Sequence, residues 1–223
     1  MPPTLVYAGI LLLVSYGLAH AEEEFEKIAV LFEQNATDKD AEVVFDATSG
    51  GAGLATLKVV APGGRTVVDL KAPDSKLGLR HINLESPEPK NDGTVQADFP
   101  EGEYTFTGST VTGAKLHGKA SLGHKLPDTA AFVRPRPDEK GVPVKGLQIE
   151  WNTVNNPAAW VVVIEQEGTE FEIAAKLPAA ATTFVVPDGF LLPDTEYKLA
   201  IGTVSRDGNT SVVEASFTTE GKK

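Results

Sequence analysis

The stretch Leu191–Thr219, LLPDTEYKLAIGTVSRDGNTSVVEASFTT, decides the fold class. Tyr197, Leu199 and Ile201 alternate with polar neighbours, as do Val213, Ala215 and Phe217 further on. Between them lies Arg206-Asp207-Gly208-Asn209, a polar turn in which Gly supplies positive φ. Alternation with period two around a turn predicts a β-hairpin with one buried face. Tyr197 follows Pro193 by four residues and opens the first strand. A Tyr in that place predicts a hydroxyl tied back to the backbone just upstream, the tyrosine corner of a β-sandwich.

The same signature occurs earlier. Pro100-Glu101-Gly102-Glu103-Tyr104 and Pro193-Asp194-Thr195-Glu196-Tyr197 both read P-x-x-E-Y, and their tyrosines lie 93 residues apart. That offset is about one sandwich domain, so the chain is expected to carry two tandem sandwiches. Between residues 41 and 126 the pattern is β throughout. Glu42–Phe45, Leu57–Val60 and Thr66–Leu70 are separated by Gly- and Pro-rich turns, and Lys115–Leu122 alternates strictly. Residues 22–40 form an acidic N-terminal segment. In it Phe25, Ile28, Ala29 and Phe32 follow the i, i+3, i+4, i+7 spacing of one helical face. Residues 127–141 are rich in Pro and charge and read as a stiff linker. A second sandwich is expected over 142–219 and a short tail over 220–223. It begins with Leu147–Trp151, and in its next strand Trp160, Val162 and Ile164 point one way.

With Trp151 in an early strand and Tyr197 in the penultimate one, residues 142–219 resemble a fibronectin type III domain. The front portion is similar to the N-terminal region of exported bacterial proteins that carry this domain. The residues concerned are Glu33–Asp40, Glu85-Ser86-Pro87-Glu88-Pro89 and FPEGEYTFTG at 99–108. The resemblance implies an all-β chain of two tandem immunoglobulin-like or fibronectin type III-like sandwiches. It implies no activity.

Residues 1–21 read as a signal peptide: an apolar run over Leu5–Leu18, then Ala19-His20-Ala21 as an A-x-A cleavage site. Once it is removed, no membrane insertion is expected. The chain has no Cys, which for an exported protein favours a bacterial periplasm, cell surface or extracellular location over a disulfide-stapled eukaryotic one. Its net charge of −11 argues against nucleic acid as a partner, since a phosphate backbone selects a basic surface.

Motifs for catalysis are missing. There is no G-x-S-x-G, no Walker loop and no H-E-x-x-H, so a non-enzymatic role is expected. Two surfaces stand out. Glu33, Asn35, Asp38, Asp40 and Glu42 crowd ten residues with the oxygen chemistry that Ca²⁺ takes, although the EF-hand frame fails and a solvated turn explains the same residues. The fibronectin type III likeness places the loops after Trp151 and after Thr203 at one end. Asn152, Asn155, Asn156, Arg206, Asp207 and Asn209 are then candidate contacts. A binding or scaffolding module with a protein or surface-glycan partner, and no cofactor, is the leading expectation. The alternatives are an accessory component of carbohydrate-active or other extracellular enzymes and a Ca²⁺-stiffened adhesion spacer.

Overall fold

The computed structural model describes residues 22–72, 78–89 and 92–221. The expected signal peptide lies outside the described residues. The first part of the chain contains β1 (Glu22–Glu24), β2 (Lys27–Asn35), β3 (Asp40–Thr48), β4 (Leu54–Val60), β5 (Thr66–Lys71), β6 (His81–Glu85), α1 (Asp92–Asp98), β7 (Gly102–Thr110) and β8 (Lys115–Leu122). The second contains β9 (Phe132–Arg134), β10 (Glu139–Val142), β11 (Gln148–Trp151), β12 (Ala159–Gln166), β13 (Glu172–Pro178), β14 (Thr183–Val185), β15 (Glu196–Val204) and β16 (Thr210–Thr219).

The expected all-β sandwich architecture is what the chain adopts. In the second part, β14-β11-β9 forms one sheet and β13-β12-β15-β16 the facing one. Trp160, Val162, Ile164, Tyr197, Leu199 and Ile201 are fully buried between them. Their outward neighbours Val161 and Val163 are only half-buried, as period-two alternation requires. In the first part, β1-β8-β7-β4-β5 faces β2, β3 and β6 across a separate core that includes Phe32, Val43, Val59, Tyr104 and Phe106.

Three features differ from the reading of the sequence. The segment with helical spacing is strand: β2 pairs antiparallel with β3 from Lys27 to Thr48. Val30 and Phe32 point into the first core, where alternation outweighs the i, i+3, i+4 pattern because a neighbouring strand is available. Residues 22–40 are thus part of the first sandwich. The Pro-rich stretch 127–141 is likewise no free linker. Ala130 and Phe132 belong to the second core, β9 pairs with β11, and β10 pairs with β16 in the opposite sheet. The chain therefore crosses between sheets from β9 to β10, and the Arg134–Pro135 peptide bond in this crossing is cis. Finally, α1 is a short helix that drops Val95 onto the first core; seven residues are too few to carry a readable periodicity.

The two sandwiches are not beads on a string. β16 pairs in parallel with β2, Thr210 opposite Glu33 and Val212 opposite Asn35. One sheet thus runs β13-β12-β15-β16-β2-β3-β6 through both parts of the chain.

Candidate functional site

The turn Ser205–Asn209 and the loop 152–157 project from the same end of the second sandwich. There they meet the chain leaving β8. Ser205 N–H donates to Asn209 C=O at 2.8 Å, and Gly208 N–H to Ser205 C=O at 3.1 Å, closing the hairpin turn. Gly208 has φ +92°, and a Cβ placed on it would stand 2.7 Å from Leu31 Cδ2. The positive φ is what calls for Gly here, since the neighbouring atom is the end of the flexible Leu31 side chain on β2.

A cleft of about 380 Å³ opens between these segments. Asn155, Asn156, Arg206 and Asp207 line one side and Lys125 and Asp128 the other. All six are exposed. Ser205 also lines it, and its hydroxyl oxygen is shielded from solvent with no hydrogen-bond partner among the described residues. The cleft thus combines two cations, two carboxylates, two amides and an unsatisfied hydroxyl. Such a set suits recognition through hydrogen bonds and has no activated nucleophile–base pair.

Four of the six candidate loop residues come together here. Asn152 does not join them: its Oδ1 accepts from Ala131 N–H and its own N–H donates to Ala131 C=O at 3.1 Å. Asn209 is placed elsewhere altogether. It is 2% exposed, and its side chain ties the two sandwiches together. Its Oδ1 accepts from Phe32 N–H at 2.9 Å, while Nδ2 donates to Gly123 C=O at 2.7 Å and Lys125 C=O at 3.1 Å. With that amide committed to backbone partners, it offers nothing to an external ligand.

Asn209 is one of a row of such ties, and sequence reasoning missed them. Ser211 Oγ donates to Pro127 C=O at 2.8 Å and accepts from Gln34 Nε2 at 3.0 Å. Thr37 Oγ1 accepts from Glu214 N–H at 2.8 Å, and Ala36 N–H donates to Val212 C=O at 2.8 Å. Polar side chains in a turn and a strand are ordinary in sequence; nothing local marks partners 177 residues away.

The acidic segment forms the β2–β3 hairpin. Glu33 stands opposite Glu42, and Asn35 opposite Asp40. Asn35 Oδ1 accepts from the N–H groups of Thr37 and Asp38 at 3.0 and 3.3 Å, and Asn35 Nδ2 donates to Asp38 at 3.3 Å. This is an Asx turn. Among the described residues no three acidic or His side chains converge as a metal-binding group. Burial raises the pKa of Glu33, with Glu85 adding and Lys176 opposing. Burial, then Glu85, Glu88, Glu33 and Asp40, push Glu42 up to about 7. Asp46, close behind in sequence, turns to Lys27 Nζ at 3.1 Å and His81 Nε2 at 2.7 Å. Burial works against its ionisation, but those two partners hold it below the usual carboxylate value.

Trp151 and the two tyrosines, Tyr104 and Tyr197, are buried in the cores. Tyr104 Oη donates to Pro100 C=O at 3.0 Å; Tyr197 Oη donates to Phe190 C=O at 3.3 Å and accepts from Leu192 N–H at 2.9 Å. Trp151 packs on Trp160 with ring centroids 5.7 Å apart.

No family model matches the chain, and no curated protein does. Among solved structures it is similar to a two-domain fibronectin type III segment of chicken tenascin, at 12% identity over 88% of this chain and 100% of that one, with a TM-score of 0.33. It is similar also to the fibronectin(III)-like modules of CbhA from Clostridium thermocellum, at 10% identity over 92% of each chain, with a TM-score of 0.33. A third is the FN1–FN3 segment of chicken CNTN1, at 12% identity over 88% of this chain and 67% of that one, with a TM-score of 0.34.

Proposed function

We propose that the chain is a non-enzymatic binding module of the bacterial envelope or exterior, holding a protein or surface-glycan partner in the cleft between residues 155–156 and 205–207. The observation that carries this is the convergence of Asn155, Asn156, Arg206 and Asp207 around 380 Å³ beside an unsatisfied Ser205 hydroxyl. The turn that presents Arg206 and Asp207 is anchored on the joint between the sandwiches through Asn209 and Gly208. Side chains held by a stiff base lose less entropy on binding than side chains on a free loop. Export and the absence of catalysis rest on the sequence, from the leader-like residues 1–21 and the missing catalytic motifs.

The test is to probe the purified protein against a surface-glycan array and against bacterial envelope fractions, beside Arg206→Ala and Asp207→Ala. Both side chains are exposed, so neither change alters folding. The reading predicts binding in one of the two formats that each substitution weakens by about tenfold or more. No binding in either format, or binding indifferent to both substitutions, contradicts it.

A further inference from the structure

β13 is the last strand of the long sheet, and its outer edge has no strand beside it among the described residues. The direction of its backbone groups follows from its pairing. Gln166 N–H donates to Phe171 C=O at 2.9 Å, and the register runs on through Ile164–Ile173, Val162–Ala175 and Trp160–Leu177. Odd-numbered residues therefore turn their N–H and C=O groups toward β12. Glu172, Ala174 and Lys176 turn theirs outward, because successive residues of a strand face opposite edges. Pro178, which has no N–H to give, falls on the outward set, where no ladder bond is lost.

An exposed edge of this kind is a template for another strand, and proteins commonly guard it with charge. Here the charges are self-complementary. Laying a second β13 antiparallel with Ala174 on the two-fold axis sets Glu172 opposite Lys176 of the partner copy, and Lys176 opposite its Glu172. Glu172, Ala174 and Lys176 share one exposed face. Within one copy, neither Glu172 nor Lys176 forms an ion pair at contact distance among the described residues; Lys176 acts on Glu33 at longer range. Ala174 at the axis leaves room for the two backbones to close. The outward groups of residues 172, 174 and 176 then meet their counterparts as hydrogen-bonded pairs.

The opposite face of the strand gives an independent reason. Phe171, directly before β13, is 69% exposed, the most exposed large apolar side chain among the described residues. In this register it falls opposite Leu177 of the partner copy, beside Ile173. Leu177 and Ile173 pack on the second core. Pairing would extend that core across the axis and cover Phe171.

We propose that the protein associates with a second copy of itself through antiparallel β13–β13 pairing centred on Ala174. The contact is isologous, so it closes at two copies and leaves no free β13 edge to propagate. It does not depend on the partner-binding role of the cleft, but it would place two clefts in one assembly and raise avidity for a repetitive surface.

The test is sedimentation of the purified protein through a dilution series, with Glu172→Lys, Lys176→Glu and the double reversal; circular dichroism confirms that each is folded. The two-fold axis makes each single reversal create two like-charge pairs, so each weakens the dimer by about tenfold or more. The double reversal restores opposite charges and with them the dimer. A protein that stays monomeric at every concentration, a dimer indifferent to the single reversals, or a dimer not restored by the double reversal would overturn the proposal.

Discussion

Tyr197 and Tyr104 sit in matching P-x-x-E-Y contexts and are both fully buried, yet their hydroxyls are bonded differently. Tyr104 Oη makes one bond, to Pro100 C=O. Tyr197 Oη makes two, and one of them satisfies the N–H of Leu192. Removing the hydroxyl from Tyr197 leaves a donor and an acceptor without a partner; removing it from Tyr104 leaves only an acceptor. Tyr197→Phe is therefore expected to cost about 2 kcal/mol and Tyr104→Phe about 1 kcal/mol in denaturant unfolding. Equal losses would mean that the second bond contributes nothing. Asn209→Ala is expected to cost more than Tyr104→Phe, roughly 2–3 kcal/mol, because it orphans the buried N–H of Phe32 and two carbonyls together. The tyrosine corners were legible because a Pro, a Glu and a Tyr at fixed spacing are a local signal. Asn209 was not: Asn in a turn next to Gly has a sufficient local explanation, and that explanation hides the long-range one.

Among the elements, the β2–β3 hairpin carries the clearest pH dependence. Glu42 faces Glu33 across the ladder, with Glu85, Glu88 and Asp40 around it and Lys176 the cation acting on Glu33. Its folded pKa is raised from 4.5 to about 7. Its contribution to stability is therefore complete below pH 4.5 and is lost as pH rises toward and through about 7. Asp46, whose pKa is lowered from 3.8, acts in the opposite sense and at more acid pH, outside that window. Unfolding midpoints are thus expected to fall between pH 5 and pH 8, and Glu42→Gln is expected to flatten the fall. A slope unchanged by Glu42→Gln would assign the dependence to other groups. The same hairpin shows where sequence patterning misleads. Phe25, Ile28, Ala29 and Phe32 satisfy a helical template, but Ile28, Val30 and Phe32 satisfy a strand as well. Only the presence of β3 and β16 on either side decides between them, and neither partner can be read from the segment itself.

For the whole molecule, two tandem sandwiches were readable from the repeated Tyr signature and the alternation along each strand. Their fusion was not, because it depends on a parallel pairing between the second strand of the chain and the last. That pairing and the ties of Asn209, Ser211 and Thr37 make the arrangement of the two sandwiches a property of one sheet rather than of a linker. Both Trp residues lie in the second core, whereas the first core holds Tyr104 and no Trp. Trp fluorescence thus reports one sandwich, and far-ultraviolet circular dichroism reports both. A fused sheet predicts coincident unfolding by the two probes. The most direct measurement is amide hydrogen exchange at Phe32, Ala36 and Glu214, whose N–H groups are bonded across the joint to Asn209, Val212 and Thr37. Protection at these amides is expected to be comparable with that of Val162 in the second core, with a sharp loss at all three in Asn209→Ala. Rapid exchange at these amides in the unaltered protein, with Val162 still protected, would mean that the sandwiches are not joined through β2 and β16.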